Sequence, residues 1–204
     1  MIIGVDEAGR GCWAGDVFAG AVILDPDHPI TGLADSKVLS AKRREALAVE
    51  IKAKALAWGV GQATACEIDQ VNILQATFLA MQRAVTAIQT QLNERGLVAA
   101  EIAYIDGNRS PNLGKNILGE TIQVFTFIKG DALHPCISAA SILAKVARDA
   151  QADEMDEMYP KYGFERHRGY GTALHRENLL KYGLLAEHRL SFKPMKHLSV
   201  IKST

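Results

Sequence analysis

Apolar residues along this chain come in two kinds of pattern, short strand-like runs and longer stretches with helical spacing. The first run, Ile2-Ile3-Gly4-Val5, ends in two adjacent acids, Asp6 and Glu7, and breaks into the glycine-rich stretch Gly9-Arg10-Gly11. A second run, Val-Phe-Ala-Gly-Ala-Val-Ile-Leu over 17–24, predicts a strand that pairs antiparallel with the first. Pro26 and Pro29 end it, since proline has no N–H to offer a ladder. Ser40 then caps a helix predicted over 41–57, with Leu47, Ile51 and Ala55 on its apolar face. A short third strand is predicted over 58–63. From 72 to 95 the spacing is helical throughout: Leu74, Phe78, Met81, Val85, Ile88 and Leu92 alternate steps of four and three, and Gly96 stops the pattern.

The same two patterns recur further on. Strands are predicted over 101–105, ending on Asp106, and over 121–127, ending in Lys129-Gly130-Asp131. A long helix follows Pro135, with Ala139, Leu143, Val146 and Ala150 on one side. After Tyr159 glycine, aromatic and basic residues crowd together, interrupted by a helix over 173–182 capped by Thr172 and stopped by Gly183. Three strands followed by helix–strand units predict an α/β protein, a mixed β-sheet flanked by helices, with a small helical C-terminal appendage. Crossovers between parallel strands bring their carboxyl ends to one edge, so the acids at 6 and 106 should meet there.

Composition narrows this only slightly. The 204 residues, 48% of them hydrophobic, suffice for one packed domain. No apolar stretch reaches the roughly 18 residues of a membrane span, and no signal pattern opens the chain, so a cytoplasmic location is expected. Cys12, Cys66 and Cys136 match no zinc or redox spacing and read as reduced packing thiols. Lys+Arg and Asp+Glu number 23 each, so any nucleic-acid partner must be gripped by local basic clusters.

Asp6, Glu7, Asp106 and Asp131 each follow a hydrophobic strand, beside glycine or a turn. Taken singly, each is a turn or cap acid. Converging, they would repel one another, and a divalent cation relieves that. Oxygen ligands alone suit a hard ion, Mg²⁺ or Mn²⁺, rather than zinc. Two such ions roughly 4 Å apart can activate water on one side of a phosphodiester and stabilise the leaving oxygen on the other. Asp35 reads as a loop acid without metal, and Asp149, Asp153, Glu154, Asp156 and Glu157 as the solvated face of the long helix.

Six blocks in order resemble bacterial ribonuclease HII, of the type 2 ribonuclease H family. They are the stretch from Gly4 to Gly11, Asp35-Ser36-Lys37, Asp106-Gly107, Lys129-Gly130-Asp131, the run from Ser138 to Asp149, and His167-Arg168-Gly169-Tyr170-Gly171. The likeness extends through His188-Arg189-Leu190-Ser191-Phe192. It implies a ribonuclease H-like sheet and an enzyme that cuts the RNA strand of RNA–DNA hybrids, and cuts at single ribonucleotides embedded in duplex DNA, leaving a 3′-hydroxyl and a 5′-phosphate. Carried over by position, Asp6, Glu7, Asp106 and Asp131 are the metal-binding acids, serving two ions during catalysis. Gly9, Arg10 and Gly11 read the ribose 2′-hydroxyl largely through backbone groups, and Tyr170 stacks on the next deoxyribose. Lys37, Lys129, Lys145, Arg148, Arg166 and Arg168 hold phosphates, or for the lysines remain ordinary surface charges, Lys145 neutralising acids of the site. His134, His167, His175 and His188 read as structural or solvent-facing.

Trp13 and Asp16 depart from the family pattern around the glycine loop and are expected to alter how it meets the duplex. The expected division is a catalytic domain over 1–158 and a substrate-binding segment over 159–204 packed on it, acting as a monomer. No sliding-clamp motif is evident in the tail. Two other readings use the same residues: a non-catalytic nucleic-acid-binding module, which should lack one of the acids, and a phosphohydrolase of small molecules, which would not need the basic, aromatic stretch from Phe164 to Tyr170.

Overall fold

The computed structural model describes residues 1–116 and 118–196, so residues 197–204 of the predicted tail segment lie outside the described residues. In chain order the elements are β1 (Ile2–Ala8), β2 (Val17–Ile23), α1 (Ala41–Lys54), β3 (Ala57–Ala63), α2 (Ala65–Val71), α3 (Ile73–Glu94), β4 (Ile102–Asp106), β5 (Gln123–Phe127), α4 (Gly130–Leu133), α5 (Pro135–Met158), α6 (Phe164–His167) and α7 (Ala173–Tyr182). One five-stranded sheet runs in the order β3-β2-β1-β4-β5. The β1–β2 and β2–β3 pairs are antiparallel, and β4 and β5 lie parallel to β1. The mixed sheet expected from the sequence is present.

Both faces of the sheet are covered. On one, Met81, Val85, Ile88 and Leu92 of α3 are buried against Ile3, Val5, Val17, Ala19 and Ala21. On the other, Leu47 and Ile51 of α1 and Ala139, Ala140 and Leu143 of α5 close over Val22. α5 sits so close to the sheet that a Cβ on Gly20 would lie 2.2 Å from the carbonyl oxygen of Ala140, and one on Gly4 would lie 2.1 Å from the backbone of Cys136. Glycine at these two positions lets the helix backbone rest directly on β1 and β2.

Several local expectations need correction. The first helix ends at Lys54, not 57, because Ala55 turns extended and Ala57 already pairs with Ile23 in the β2–β3 ladder. The capping box of Thr64 and Glu67 starts α2, a short helix not foreseen, and Asn72 at φ 70° separates it from α3. β4 and β5 are parallel neighbours, yet the described residues joining them contain no helix. Ala150 is exposed, so the buried side of α5 turns instead through Ala144, Arg148 and Ala152.

Candidate active site

The register of the sheet brings the acids together. Val5 lies opposite Ile105 in the parallel β1–β4 pair, which places Asp6 and Asp106 side by side at the carboxyl ends of adjacent strands. Asp106 Oδ1 accepts the Gly130 N–H at 2.7 Å, and this bond ties the end of β4 to the start of α4. Asp131 stands in the first turn of that helix and is only 8% exposed. Asp6 Oδ1 accepts the N–H of Glu7 at 2.7 Å, while β1 itself runs on to Ala8, which still pairs with Phe18.

Their electrostatics show how closely these groups sit. Burial, then repulsion from Glu7, Asp106 and Asp131, holds the Asp6 carboxyl well above the usual carboxylate range. Burial also raises Glu7, against a hydrogen bond from Arg10 that lowers it. Asp131 is raised by burial, then by Asp35 and Asp106, with Lys37 opposing. Asp35, expected to be a bystander, is therefore a fifth acid beside the four; its place next to Ser36 and Lys37 was the only hint.

Among the described residues, no three acid, histidine or cysteine side chains are gathered tightly enough to hold an ion as they stand. Glu7 is paired with Arg10, Oε1 to Nη1 3.0 Å, and Asp106 accepts a backbone N–H. The donor set still fits a hard divalent cation, being all oxygen, buried and mutually repelling.

A cavity of about 300 Å³ is lined by Asp6, Glu7, Gly9, Arg10, Gly11, Lys37, Lys145 and Tyr170, among others. Arg109 and Asn108 line a second, about 250 Å³, on the α3 side of Glu7 and Asp106. Gly9 has φ +93°, a turn that suits glycine, and Tyr170 is 43% exposed beside Gly11. The basic residues divide. Lys129 and Arg166 are exposed and Lys37 faces the acids. Lys145 pairs with Asp149 at 2.5 Å rather than with a site acid, and Arg44 shares that partner. Arg168 pairs with Asp153. Asp149 and Asp153 thus anchor cations rather than merely facing water. Arg148 corrects the sequence reading outright: at 1% exposure it donates to the Arg168 carbonyl and touches Cys12 Sγ at 3.2 Å, out of reach of a phosphate.

The two departures from the family pattern also turn inward. Trp13 lies against Gly171, where a Cβ would come within 2.1 Å of the indole, and its ring centroid is 5.5 Å from that of His175. Asp16 accepts the Ala65 N–H at 3.2 Å, at the start of α2. Neither side chain is spent on the loop's outer surface.

Three histidines beneath Tyr170 form a buried network whose protonation can be read from its bonds. His188 Nδ1 accepts the Leu185 N–H at 2.9 Å, so its proton sits on Nε2 and points at His175 Nε2, 3.1 Å away. His175 in turn donates from Nδ1 to the Tyr170 carbonyl at 3.0 Å. His167 stacks on His175 with ring centroids 4.2 Å apart. All three are structural, as expected. Burial is the main cause that pushes His175 and His188 down to about 4. Between there and 6.5 the unfolded chain binds protons that these two rings refuse in the folded chain, so their contribution to stability falls as pH drops through this window, opposed by the raised carboxyls of Asp6, Glu7 and Asp131. The gap corresponds to roughly 3 kcal/mol per ring if fully expressed. The His175 and His188 imidazole NMR signals of the folded protein should not titrate near 6.5, and urea midpoints at pH 7.5 and pH 5 read their loss net of the carboxyls' opposing gain.

A mixed sheet with clustered carboxylates at the ends of neighbouring parallel strands, flanked by a glycine loop and basic side chains, defines a metal-dependent nuclease with a ribonuclease H-like fold. The sequence profile described as Ribonuclease HII matches residues 3–195, and the chain belongs to that family. Ribonuclease HII of Bordetella pertussis (strain Tohama I) is 56% identical over 196 residues, which is 96% of this chain and 90% of that protein. The ribonuclease HII of Archaeoglobus fulgidus, solved in complex with PCNA, superposes with a TM-score of 0.71 at 27% identity, over 97% of this chain and 96% of that one. Bst ribonuclease HIII in complex with Mn²⁺ shares the fold, with a TM-score of 0.78 at 18% identity over 98% of this chain and 69% of that one. The chain is accordingly an enzyme, a divalent-metal-dependent ribonuclease H acting on RNA–DNA hybrids. No helix among the described residues is long and apolar enough to cross a membrane.

Proposed function

We propose that the enzyme cuts the RNA strand of hybrids and also nicks duplex DNA on the 5′ side of a single embedded ribonucleotide, leaving a 3′-hydroxyl and a 5′-phosphate. What carries this reading is that the Gly9–Gly11 backbone and the Tyr170 ring line the same cavity as Asp6 and Glu7. A recognition element for ribose and an aromatic ring therefore border the reacting position. Asp6, Glu7, Asp106 and Asp131 would hold the divalent ions, Mg²⁺ or Mn²⁺ and two during catalysis, which supply an activated water and stabilise the leaving oxygen.

This chain's own residues do the rest. The 2′-hydroxyl both donates and accepts, so backbone groups of the glycine loop can separate ribose from deoxyribose without a side chain. Tyr170 stacks on the following deoxyribose, where an added hydroxyl would collide. Lys37, Lys129 and Arg166 neutralise phosphates, which positions the duplex without reading its sequence. Arg168 would have to leave its exposed ion pair with Asp153 to reach a phosphate.

The test is a DNA duplex containing one ribonucleotide, incubated with Mg²⁺, with Mn²⁺ or with chelator, with the cut mapped at single-nucleotide resolution. A nick 5′ of the ribonucleotide, lost with chelator and absent from the all-DNA duplex, is the expected result. A cut on the 3′ side, or equal cutting of all-DNA duplex, would overturn the reading.

A further inference from the structure

The two largest fully buried side chains in the described residues are both arginines, Arg148 and Arg189, and both lie beneath the loop that follows β1. Neither belongs to any of the ion pairs formed among the described residues. A buried guanidinium with no carboxylate is costly, so its hydrogen bonds must justify it. Those of Arg189 go to one place. Nη2 donates to the carbonyl oxygens of Gly9 at 2.7 Å and Asp16 at 3.1 Å, Nη1 to that of Arg10 at 2.9 Å, and Nε to that of Gly15 at 2.9 Å. Its backbone N–H donates to Trp13 at 2.8 Å, so the same residue grips the loop at five points. The missing carboxylate leaves the guanidinium free to take four carbonyls at once. Burial draws its pKa down to about 10, still far above neutrality, so the cation persists.

These bonds fix which way the peptides face. The peptide is planar and, with no cis bond in the described chain, trans, so a carbonyl drawn inward turns the next residue's N–H outward. Pulling in the Gly9 and Arg10 carbonyls therefore turns out the N–H groups of Arg10 and Gly11. Neither donates to another backbone group or side chain in the described residues, and both residues line the cavity beside Asp6 and Glu7.

We propose that Arg189 is the positioning residue for ribose recognition: it orients the Gly9–Arg10–Gly11 peptides so that their N–H groups meet the 2′-hydroxyl, without touching substrate itself. The inference rests on the ribonucleotide-reading function above and adds the device that makes it selective. Arg148 braces the same arrangement from the other side, joining Cys12 to the carbonyl of Arg168 next to the Tyr170 turn.

The test compares Arg189→Lys and Arg189→Met with the unaltered enzyme. Binding to a duplex with one ribonucleotide and to the matching all-DNA duplex is measured in Ca²⁺, and steady-state cleavage in Mg²⁺. The Lys variant keeps the charge but not the fork of donors. It should lose about tenfold, and Met about 100-fold, in the ratio of ribonucleotide to all-DNA affinity, with all-DNA affinity nearly unchanged. The same loss should appear in kcat/KM for the single-ribonucleotide duplex. A merely structural arginine would lower the melting temperature and leave the ratio intact, and that result overturns the proposal. If Arg189→Met does not fold, Arg189→Lys decides alone: an unchanged ratio refutes it. Failure of the parent reading looks different, because the unaltered enzyme would then show no preference for the ribonucleotide duplex.

Discussion

Asp106→Asn is expected to slow cleavage of an RNA–DNA hybrid by at least about 10³-fold while duplex affinity stays within about threefold, since several kcal/mol of ion-dependent stabilisation are lost at 1.36 kcal/mol per tenfold. The choice of this acid follows from its bonds. Asp106 Oδ1 accepts the Gly130 N–H, and an asparagine oxygen can accept it as well, so β4 stays joined to α4. What disappears is the negative charge beside Asp6, the only property the substitution removes at constant shape. Single-turnover rates in Mg²⁺ with fluorescence anisotropy in Ca²⁺ separate chemistry from binding. Undiminished cutting would mean that the acids at the strand ends do not hold the ions.

Tyr170→Ala should act in the opposite manner, through substrate choice. Its backbone is held independently of the ring, by its N–H to His167 at 2.8 Å and its carbonyl to His175 at 3.0 Å, so truncation removes an exposed aromatic surface and little else. Stacking against a nucleotide is worth about 1–3 kcal/mol, which corresponds to roughly 5- to 150-fold. Cleavage at a single embedded ribonucleotide should fall by about that much, and cleavage inside a long hybrid by much less, because only the former presents a deoxyribose directly after the ribonucleotide. Paired substrates resolved on one gel give the ratio directly. Equal losses on both would show that the ring does not read the junction.

The parts of this architecture that were legible in the sequence are those encoded locally. The stripe from Leu74 to Leu92 is a helix because its period is helical, and most of it is buried against the sheet. Asp6 and Asp106 could be paired in advance because acids at strand ends inherit their position from sheet topology. The misses have equally physical causes. Arg148 was read as a phosphate ligand because arginine is rarely buried, and only the fold reveals that its side chain is enclosed, with Nη2 donating to the Arg168 carbonyl while Nε and Nη1 find no partner among the described residues. Asp35 looked like an ordinary turn acid, since nothing local tells that its loop folds back beside Asp131. α2 and α6 are too short for periodicity to register; the Thr64–Glu67 capping box was the one signal available for the former.

Arg189 bonds to Gly9 across 180 positions of sequence, and Ala14 bridges to His188 over nearly the same distance. A ribosome adding 5–20 residues per second takes roughly 10 to 35 s to cover that interval. During it the acids of the first strand already exist, but the peptides beside them lack their brace. The nascent polypeptide, emerging close to the cell's own transcripts, therefore acquires its selectivity only after nearly all of its catalytic groups have been made.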